Sequence, residues 1–294
     1  MQIKKPQFWN FKKPNFYSYI LWPISKLIEL GLFFKKKKLK KFSNIKTICI
    51  GNIYIGGTGK TSLAIKINEL LKKKKIKTCF IKKSYSDQID EIKLLKNSGK
   101  VFISKKRLDC LKKAIKEKYK IAIFDDGLQD YSIDYDLKIL CFNNINWIGN
   151  GQVIPAGPLR ENLKSIKKTI KKINPKSQIF IGIYKPSNLD EFKRSEKYLV
   201  FSGIGNHQTF LSMLKNHKFN IVYDMEFPDH YNYKNKDLEK IISKSKELNC
   251  KIVTTEKDFL RINNISFKDI KFIKSELFIQ DEEKFINDIL KLNE

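Results

Sequence analysis

Short apolar runs rich in β-branched residues recur along this chain at 45–50, 77–82, 101–104, 121–124, 137–142 and 178–184, and each predicts a strand. Between several of them apolar positions return every three or four residues, which predicts helices over 63–74, 90–97, 108–119 and 162–172. The strand runs are apolar throughout instead of alternating. That pattern belongs to strands covered on both faces, and strands alternating with helices predict a mostly parallel α/β sheet. A second series follows: strands at 198–202, 221–226, 251–254 and 271–278, with helices at 237–248 and 282–292. It predicts a smaller C-terminal α/β domain, joined without a glycine- or proline-rich linker, so the boundary near 196 is soft. No internal repeat is evident.

The stretch 16–34 follows neither pattern. It is apolar and aromatic but broken by Pro23, Lys26 and Glu29, which makes it a poor transmembrane span. Six lysines in the seven residues 35–41 follow. An amphipathic helix beside a polybasic cluster predicts a segment lying on an anionic membrane surface, with Trp22 and its neighbours at the interface. The competing expectation is a helix packed on the core with a solvated lysine run. No cleavable signal peptide is expected, since the apolar stretch lacks a small-residue cleavage site. The chain is thus expected to divide into an N-terminal membrane-associating helix and basic cluster (1–42), a nucleotide-binding domain (43–196) and a C-terminal α/β domain (197–294).

The formal net charge of +28 invites a nucleic-acid reading, but only Arg107, Arg160, Arg194 and Arg261 among the 59 basic residues are arginine. Arginine is the usual choice for bidentate phosphate and guanine contacts. The lysine excess therefore reads as solvated surface with attraction to anionic partners, and no nucleic-acid partner is expected. The five cysteines are scattered without metal-ligand spacing and read as buried thiols of a reducing compartment.

Candidate chemistry begins where the first strand ends. Gly51-Asn-Ile-Tyr-Ile-Gly-Gly-Thr-Gly-Lys-Thr-Ser62 leads from a strand into a helix, as a phosphate-binding loop requires. Gly56, Gly57 and Gly59, with Thr58 between them, let the backbone aim N–H groups at a polyphosphate, and the helix start adds partial positive charge. Lys60 can reach the outer phosphates, Thr61 can ligate magnesium, and Ser62 follows in the first turn. Tyr54 stands where the general pattern has its first glycine. A second element, Ile121-Ala-Ile-Phe-Asp-Asp-Gly-Leu-Gln129, ends an apolar strand in Asp125 and Asp126, carboxylates suited to holding Mg²⁺ beside the phosphates.

Together these residues resemble the tetraacyldisaccharide 4′-kinase family, P-loop kinases of lipid A synthesis. The family's own loop also lacks the early glycine, and Asp125-Asp-Gly-Leu-Gln129 is similar to its Asp-Asp-x-x-Gln element. Gly149-Asn-Gly-Gln-Val-Ile-Pro-Ala-Gly-Pro-Leu-Arg-Glu161, Ser202-Gly-Ile-Gly-Asn206, Phe227-Pro-Asp-His-Tyr231 and Val253-Thr-Thr-Glu-Lys-Asp258 complete the series in the expected order. The resemblance implies a P-loop NTPase-like fold that moves the γ-phosphate of ATP to the 4′-hydroxyl of a tetraacylated glucosamine disaccharide 1-phosphate. The expected cofactors are ATP and Mg²⁺, the place is the cytoplasmic face of the bacterial inner membrane, and no obligate protein partner is implied. It assigns Asp90 as base, oriented by His230, with Lys60 completing the catalytic set. Gln129 joins the nucleotide-binding residues Gly56 to Ser62. Thr61, Asp125, Asp126 and Glu161 would face the metal, with Arg160 lining the site.

The chain departs from the family around Lys82-Lys83-Ser84-Tyr85-Ser86-Asp87-Gln88-Ile89-Asp90, where an arginine and a glycine are replaced and a glycine-rich stretch is shortened. Asp87 is therefore an alternative base. Asp130 stands where the family often has histidine. Without the resemblance, Asp90 reads as a helix cap and His230 as a turn residue. Two other classes compete with the kinase reading: a basic P-loop ATPase acting on nucleic acid or cargo, and a membrane-associated nucleotide sensor without turnover.

Overall fold

The fold is that of a computed structural model describing residues 5–34, 39–85, 88–164, 178–262 and 269–291. The chain forms two compact units, each assembled from separate stretches. The larger comprises Lys4–Lys83, Gly99–Ile181 and Asp281–Glu294; the smaller comprises Met1–Ile3, Ser84–Ser98 and Gly182–Gln280.

The larger unit is built on β1 (Lys46–Gly51), β2 (Thr78–Lys83), β3 (Val101–Ser104), β4 (Ile121–Asp125) and β5 (Leu137–Leu140), in the order β3-β2-β4-β1-β5. All four pairings are parallel. β4 is buried at every position and β1 at every position after Lys46, as their unbroken apolar runs demand. The helix Lys60–Lys73 buries Leu63, Ala64, Ile67, Leu70 and Leu71 on one face, and the helix Arg107–Lys116 buries Cys110, Leu111 and Ala114. Because β1 lies beside β4 with Ile50 opposite Asp125, the turns that follow the two strands emerge together at one sheet edge.

The smaller unit has a four-stranded sheet in the order β10-β9-β7-β8, from β7 (Lys197–Ser202), β8 (Asn220–Glu226), β9 (Lys251–Thr255) and β10 (Ile270–Ile273). Its pairings are again all parallel. Beside it β6 (Gly182–Pro186) and β11 (Ser275–Ile279) form an antiparallel ribbon. The mostly parallel α/β architecture expected from the pattern is therefore present in both units.

Several details differ from the sequence expectation. The run 271–278 is two strands in different sheets, because the backbone of Lys274 between them is taken by Asn188 Oδ1 (2.9 Å) and by Ser187 N (3.0 Å). The run 178–184 becomes a strand only from Gly182, in the ribbon instead of the parallel sheet. A helix at His207–Asn216 went unpredicted, although Asn206 caps it by accepting from Thr209 N and Phe210 and Leu214 share its buried face. The units also cut the chain differently from contiguous domains 43–196 and 197–294. The helix Ile89–Ser98 packs on the helix Glu256–Phe259, and Lys66 pairs with Glu282 at 2.8 Å, tying the helix Glu282–Leu290 to the larger unit. Most of the predicted helix 162–172, residues 35–38 of the lysine run and Asp87 lie outside the described residues. All five cysteines are free; four are buried and Cys250 is half-buried.

The helix Phe16–Phe34 turns its small polar residues inward. Ser25 Oγ donates to Val153 O (2.8 Å) and accepts from Ala156 N (3.0 Å), while Asn150 Nδ2 donates to Ser18 Oγ (2.9 Å). Its apolar side faces outward, with Phe16, Tyr19 and Leu27 each about two-thirds exposed or more (72%, 66% and 69%). No helix among the described residues is long and apolar enough to cross a membrane.

Candidate active site

In the larger unit the β1 turn is shaped from within. Asn52, fully buried, donates through Nδ2 to Tyr54 O (2.6 Å) and Gly56 O (3.2 Å), curling the loop over its own side chain. Arg160 N donates to Ile53 O (2.6 Å) and Ile55 N to Pro158 O (2.9 Å), so the block 149–161 braces the loop from outside. Tyr54 is buried, and its hydroxyl donates to Asn10 Oδ1 (2.7 Å). A glycine at 54 could do neither, which gives Tyr54 a structural role in this loop. Gly56 and Gly59 have φ of 121° and 82°, so two of the three glycines use backbone conformations that side chains resist. Gly59 is the N-cap of the helix that starts at Lys60, placing Lys60, Thr61 and Ser62 in its first turn. Gly51 has no room for a side chain, since a Cβ there would lie 2.4 Å from Leu128 Cβ.

At the end of β4, Thr61 Oγ1 donates to Asp125 Oδ2 (3.0 Å), and Lys82 Nζ reaches the same oxygen (2.6 Å). Asp125 Oδ1 is buried with no hydrogen-bond partner, and so is Thr58 Oγ1. A carboxylate oxygen left bare in the interior is costly unless a ligand completes it. Asp126 adopts φ 57° and accepts from Arg160 Nη1 through both oxygens (2.9 and 3.1 Å), with Lys60 Nζ 3.8 Å away. Burial pushes the Asp126 carboxyl up, but the charges of Lys60 and then Arg160 outweigh it, and the net shift is downward. Arg107 Nη2 donates to the Asp126 carbonyl (2.6 Å) and holds that strained turn. Gln129 Nε2 donates to Asn52 O (3.1 Å) and Glu161 Oε1 (3.3 Å), and its Oε1 accepts from Arg160 (3.1 Å). Lys60, Thr61, Asp125, Asp126, Gln129, Arg160 and Glu161 thus form one connected cluster at the sheet edge. Lys82 and Arg107 were not anticipated there; the signal for Lys82 is a lysine inside an otherwise buried strand.

The smaller unit holds the other predicted pair. Asp90 lies in the first turn of the helix Ile89–Ser98, and its Oδ1 is 3.4 Å from His230 Nδ1. His230, in the left-handed region at φ 58°, donates its backbone N–H to Gly203 O (3.0 Å). Burial raises the Asp90 carboxyl, but the His230 hydrogen bond and the charge of Arg261 outweigh it and hold the group at about 2. For His230 burial acts downward and the bond to Asp90, then the charges of Asp229 and Glu91, act upward; the net shift is up. Asp90 stays ionised and His230 inclines to the imidazolium, an arrangement in which the histidine orients and balances the carboxylate.

A parallel sheet with a glycine-rich loop between its first strand and helix, and a carboxylate pair ending the neighbouring strand, defines a P-loop nucleotide-binding protein. A sequence profile of the tetraacyldisaccharide-1-P 4′-kinase family matches residues 17–99 and 89–294. The tetraacyldisaccharide 4′-kinase of Pelagibacter ubique is 54% identical over all of this chain and 99% of its own length. That of Rickettsia typhi is 32% identical over 100% of this chain and 98% of its own. The chain belongs to the tetraacyldisaccharide-1-P 4′-kinase family. A crystal structure of LpxK from Aquifex aeolicus in complex with ATP superposes with a TM-score of 0.68 at 24% identity, over 94% of this chain and 99% of that one, so the fold is shared.

Proposed function

We propose that this chain transfers the γ-phosphate of ATP to the 4′-hydroxyl of a tetraacylated glucosamine disaccharide 1-phosphate, the reaction named by its family. The observations that support the reading are a complete phosphate loop and carboxylate edge in the larger unit and, in the smaller unit, a buried, ionised Asp90 held against His230.

The loop amides from Gly56 to Thr61 and Lys60 would cradle and neutralise the triphosphate, and Arg160 and Gln129 would steady the charge developing on the transferred group. Lys60 would release Asp126 and turn to the phosphates. Among the described residues no three carboxylate, histidine or cysteine groups converge to hold a metal ion by themselves; the fit to a divalent cation rests on Asp125 Oδ1, buried without a partner, beside Thr61. Thr61 and Asp125 would hold it, whereas Asp126 and Glu161, expected from the sequence to face the metal, are engaged by Arg160 and Gln129; Mg²⁺ would supply neutralisation of phosphate charge there.

A sugar hydroxyl is a poor nucleophile. Asp90 would accept its proton as the oxygen attacks phosphorus, and His230, charged and hydrogen-bonded, would keep Asp90 oriented and balance its charge. A carboxylate held near 2 is a weak base, so the proton moves late, when the attacking oxygen has become acidic, as a loose transition state permits.

The outward apolar face of the helix Phe16–Phe34 supports a site of action on the cytoplasmic surface of the inner membrane. A helix that buries serines and exposes phenylalanine, tyrosine and tryptophan has its apolar side left for another apolar phase, and the acylated substrate resides in one. The lysine excess favours an anionic leaflet. Incubation with γ-labelled ATP and the disaccharide 1-phosphate in detergent tests the reading; label recovered only as inorganic phosphate would refute it.

A further inference from the structure

Two of the six sequence blocks, Ser202-Gly-Ile-Gly-Asn206 and Val253-Thr-Thr-Glu-Lys-Asp258, have no part in the chemistry described so far. Both end on one buried group in the smaller unit. Asp258 is fully withdrawn from solvent. Its Oδ1 accepts from Gly203 N, the Tyr233 hydroxyl and Arg261 Nη1, each at 2.9 Å, and its Oδ2 accepts from Thr255 Oγ1 at 2.6 Å. Arg261 Nη1 donates as well to Gly203 O (2.6 Å), and its Nη2 donates to Asp90 Oδ2 (2.6 Å). Gly203 O also receives the His230 backbone N–H. A Cβ at Gly203 would meet Pro228 O and Tyr231 Cβ at 3.0 Å, so the close convergence depends on glycine.

We propose that Arg261, anchored by Asp258, is a positioning residue for the Asp90–His230 pair, holding one carboxylate oxygen so that the other is presented to His230 and to the substrate hydroxyl. The proposal rests on the functional reading of Asp90 as base. An aspartate side chain in the first turn of a helix rotates broadly about its terminal torsion. A planar guanidinium fixed at its other nitrogen by a second carboxylate removes that freedom. Arginine is needed because one side chain must reach Gly203 O, Asp258 and Asp90 in fixed directions. An ion-paired arginine in the interior adds little net stability, so its value lies in geometry. Asp90 is faced by Arg261, His230 and Lys257; His230 is faced by Asp90, Arg261, Asp229 and Glu91.

The test compares the full-length wild type with Arg261→Gln, Arg261→Lys and Asp258→Asn in the detergent transfer assay, following kcat and the KM for ATP across pH, with Tm measured in parallel. Arg261→Gln is expected to lower kcat by roughly 100-fold, the scale of a misplaced catalytic group, with the KM for ATP unchanged. Its acid limb should move to higher pH, because the charge that keeps Asp90 ionised is gone. Arg261→Lys should return the limb towards the wild-type position while recovering only part of the rate. A folded Arg261→Gln with wild-type kcat and acid limb would overturn the proposal. So would a loss that is uniform in pH and follows Tm across the variants. If Arg261→Gln does not fold, Arg261→Lys and Asp258→Asn are judged by the same criteria. A wild-type protein that transfers no phosphate to lipid would instead refute the functional reading. The clamp would then be judged by Tm alone, where additive effects of Arg261→Lys and Asp90→Asn would overturn it.

Discussion

Lys82 Nζ lies 2.6 Å from Asp125 Oδ2, with both side chains closed off from solvent. The same oxygen takes the Thr61 hydroxyl, so one side of the carboxylate is saturated and the other is bare. An ammonium buried on a central strand is tolerated only because this partner is there. Lys82→Met keeps the stem and removes the charge, leaving Asp125 uncompensated in the interior. The expected cost is about 3 kcal/mol or more, read as a lower denaturant midpoint at unchanged slope; a loss below about 1 kcal/mol, the scale of an exposed pair, would mean that the pair is not buried in solution.

Lys60→Ala should leave folding almost untouched, because among the described residues the ion pair it breaks is the long contact to Asp126. Phosphate transfer should fall by at least about 100-fold, the scale of losing one charge-stabilising group. Steady-state transfer together with ATP titration checks this; near-normal turnover would remove Lys60 from the phosphate site.

The strands and the phosphate loop were legible because each is written in contiguous residues. A short unbroken run of β-branched apolar residues bounded by turn residues favours a covered strand, and glycines followed by Lys-Thr after such a run favour a helix start. Asp125 and Asp126 were legible for the same reason, ending such a run. Of the network around Asp90, the partnership with His230 was reached only through the family resemblance, and Gly203, Asp258 and Arg261 were not anticipated. Asp90, Gly203, His230, Asp258 and Arg261 come from four separate segments of the chain, and no periodicity marks a contact made only by tertiary folding. Arg261 looked like one more basic residue until its depth was known. The helix Phe16–Phe34 hid its inverted orientation because sequence shows two faces without saying which is inside. The run 271–278 hid its break because Asn188, far upstream, supplies the reason for it.

Stability should depend on pH in two windows that report on the Asp90–His230 pair. Asp90 is held at about 2 against an ordinary 3.8, so its contribution is complete above pH 4 and is lost as pH falls towards 2. The shift corresponds to about 2 kcal/mol. His230 is shifted up, so its contribution is complete below pH 6.5 and is lost as pH rises through the higher folded value. Tm recorded from pH 2 to 9 should fall at both ends. Asp90→Asn should flatten the acid limb and His230→Gln the alkaline one; unchanged slopes in both variants would show that the groups are not coupled to folding.

The exposed face of the helix Phe16–Phe34 should bind lipid. Flotation with vesicles containing anionic phospholipid should carry the protein upward, less so at high salt as the lysine contribution is screened. Trp22→Glu and Leu27→Glu, both at exposed positions, should weaken flotation without lowering Tm. Equal flotation of wild type and variants would place membrane contact elsewhere on the chain.

The central claim is that the γ-phosphate reaches a particular sugar oxygen. ³¹P–¹H correlation NMR of the lipid product formed from ATP and tetraacylated disaccharide 1-phosphate observes that bond directly. The expected result is a new phosphomonoester coupled to the proton at carbon 4′, formed by wild type and absent with Asp90→Ala that still binds ATP. A phosphorus signal at any other position, or an Asp90→Ala variant that forms the same product at the wild-type rate, would contradict the account.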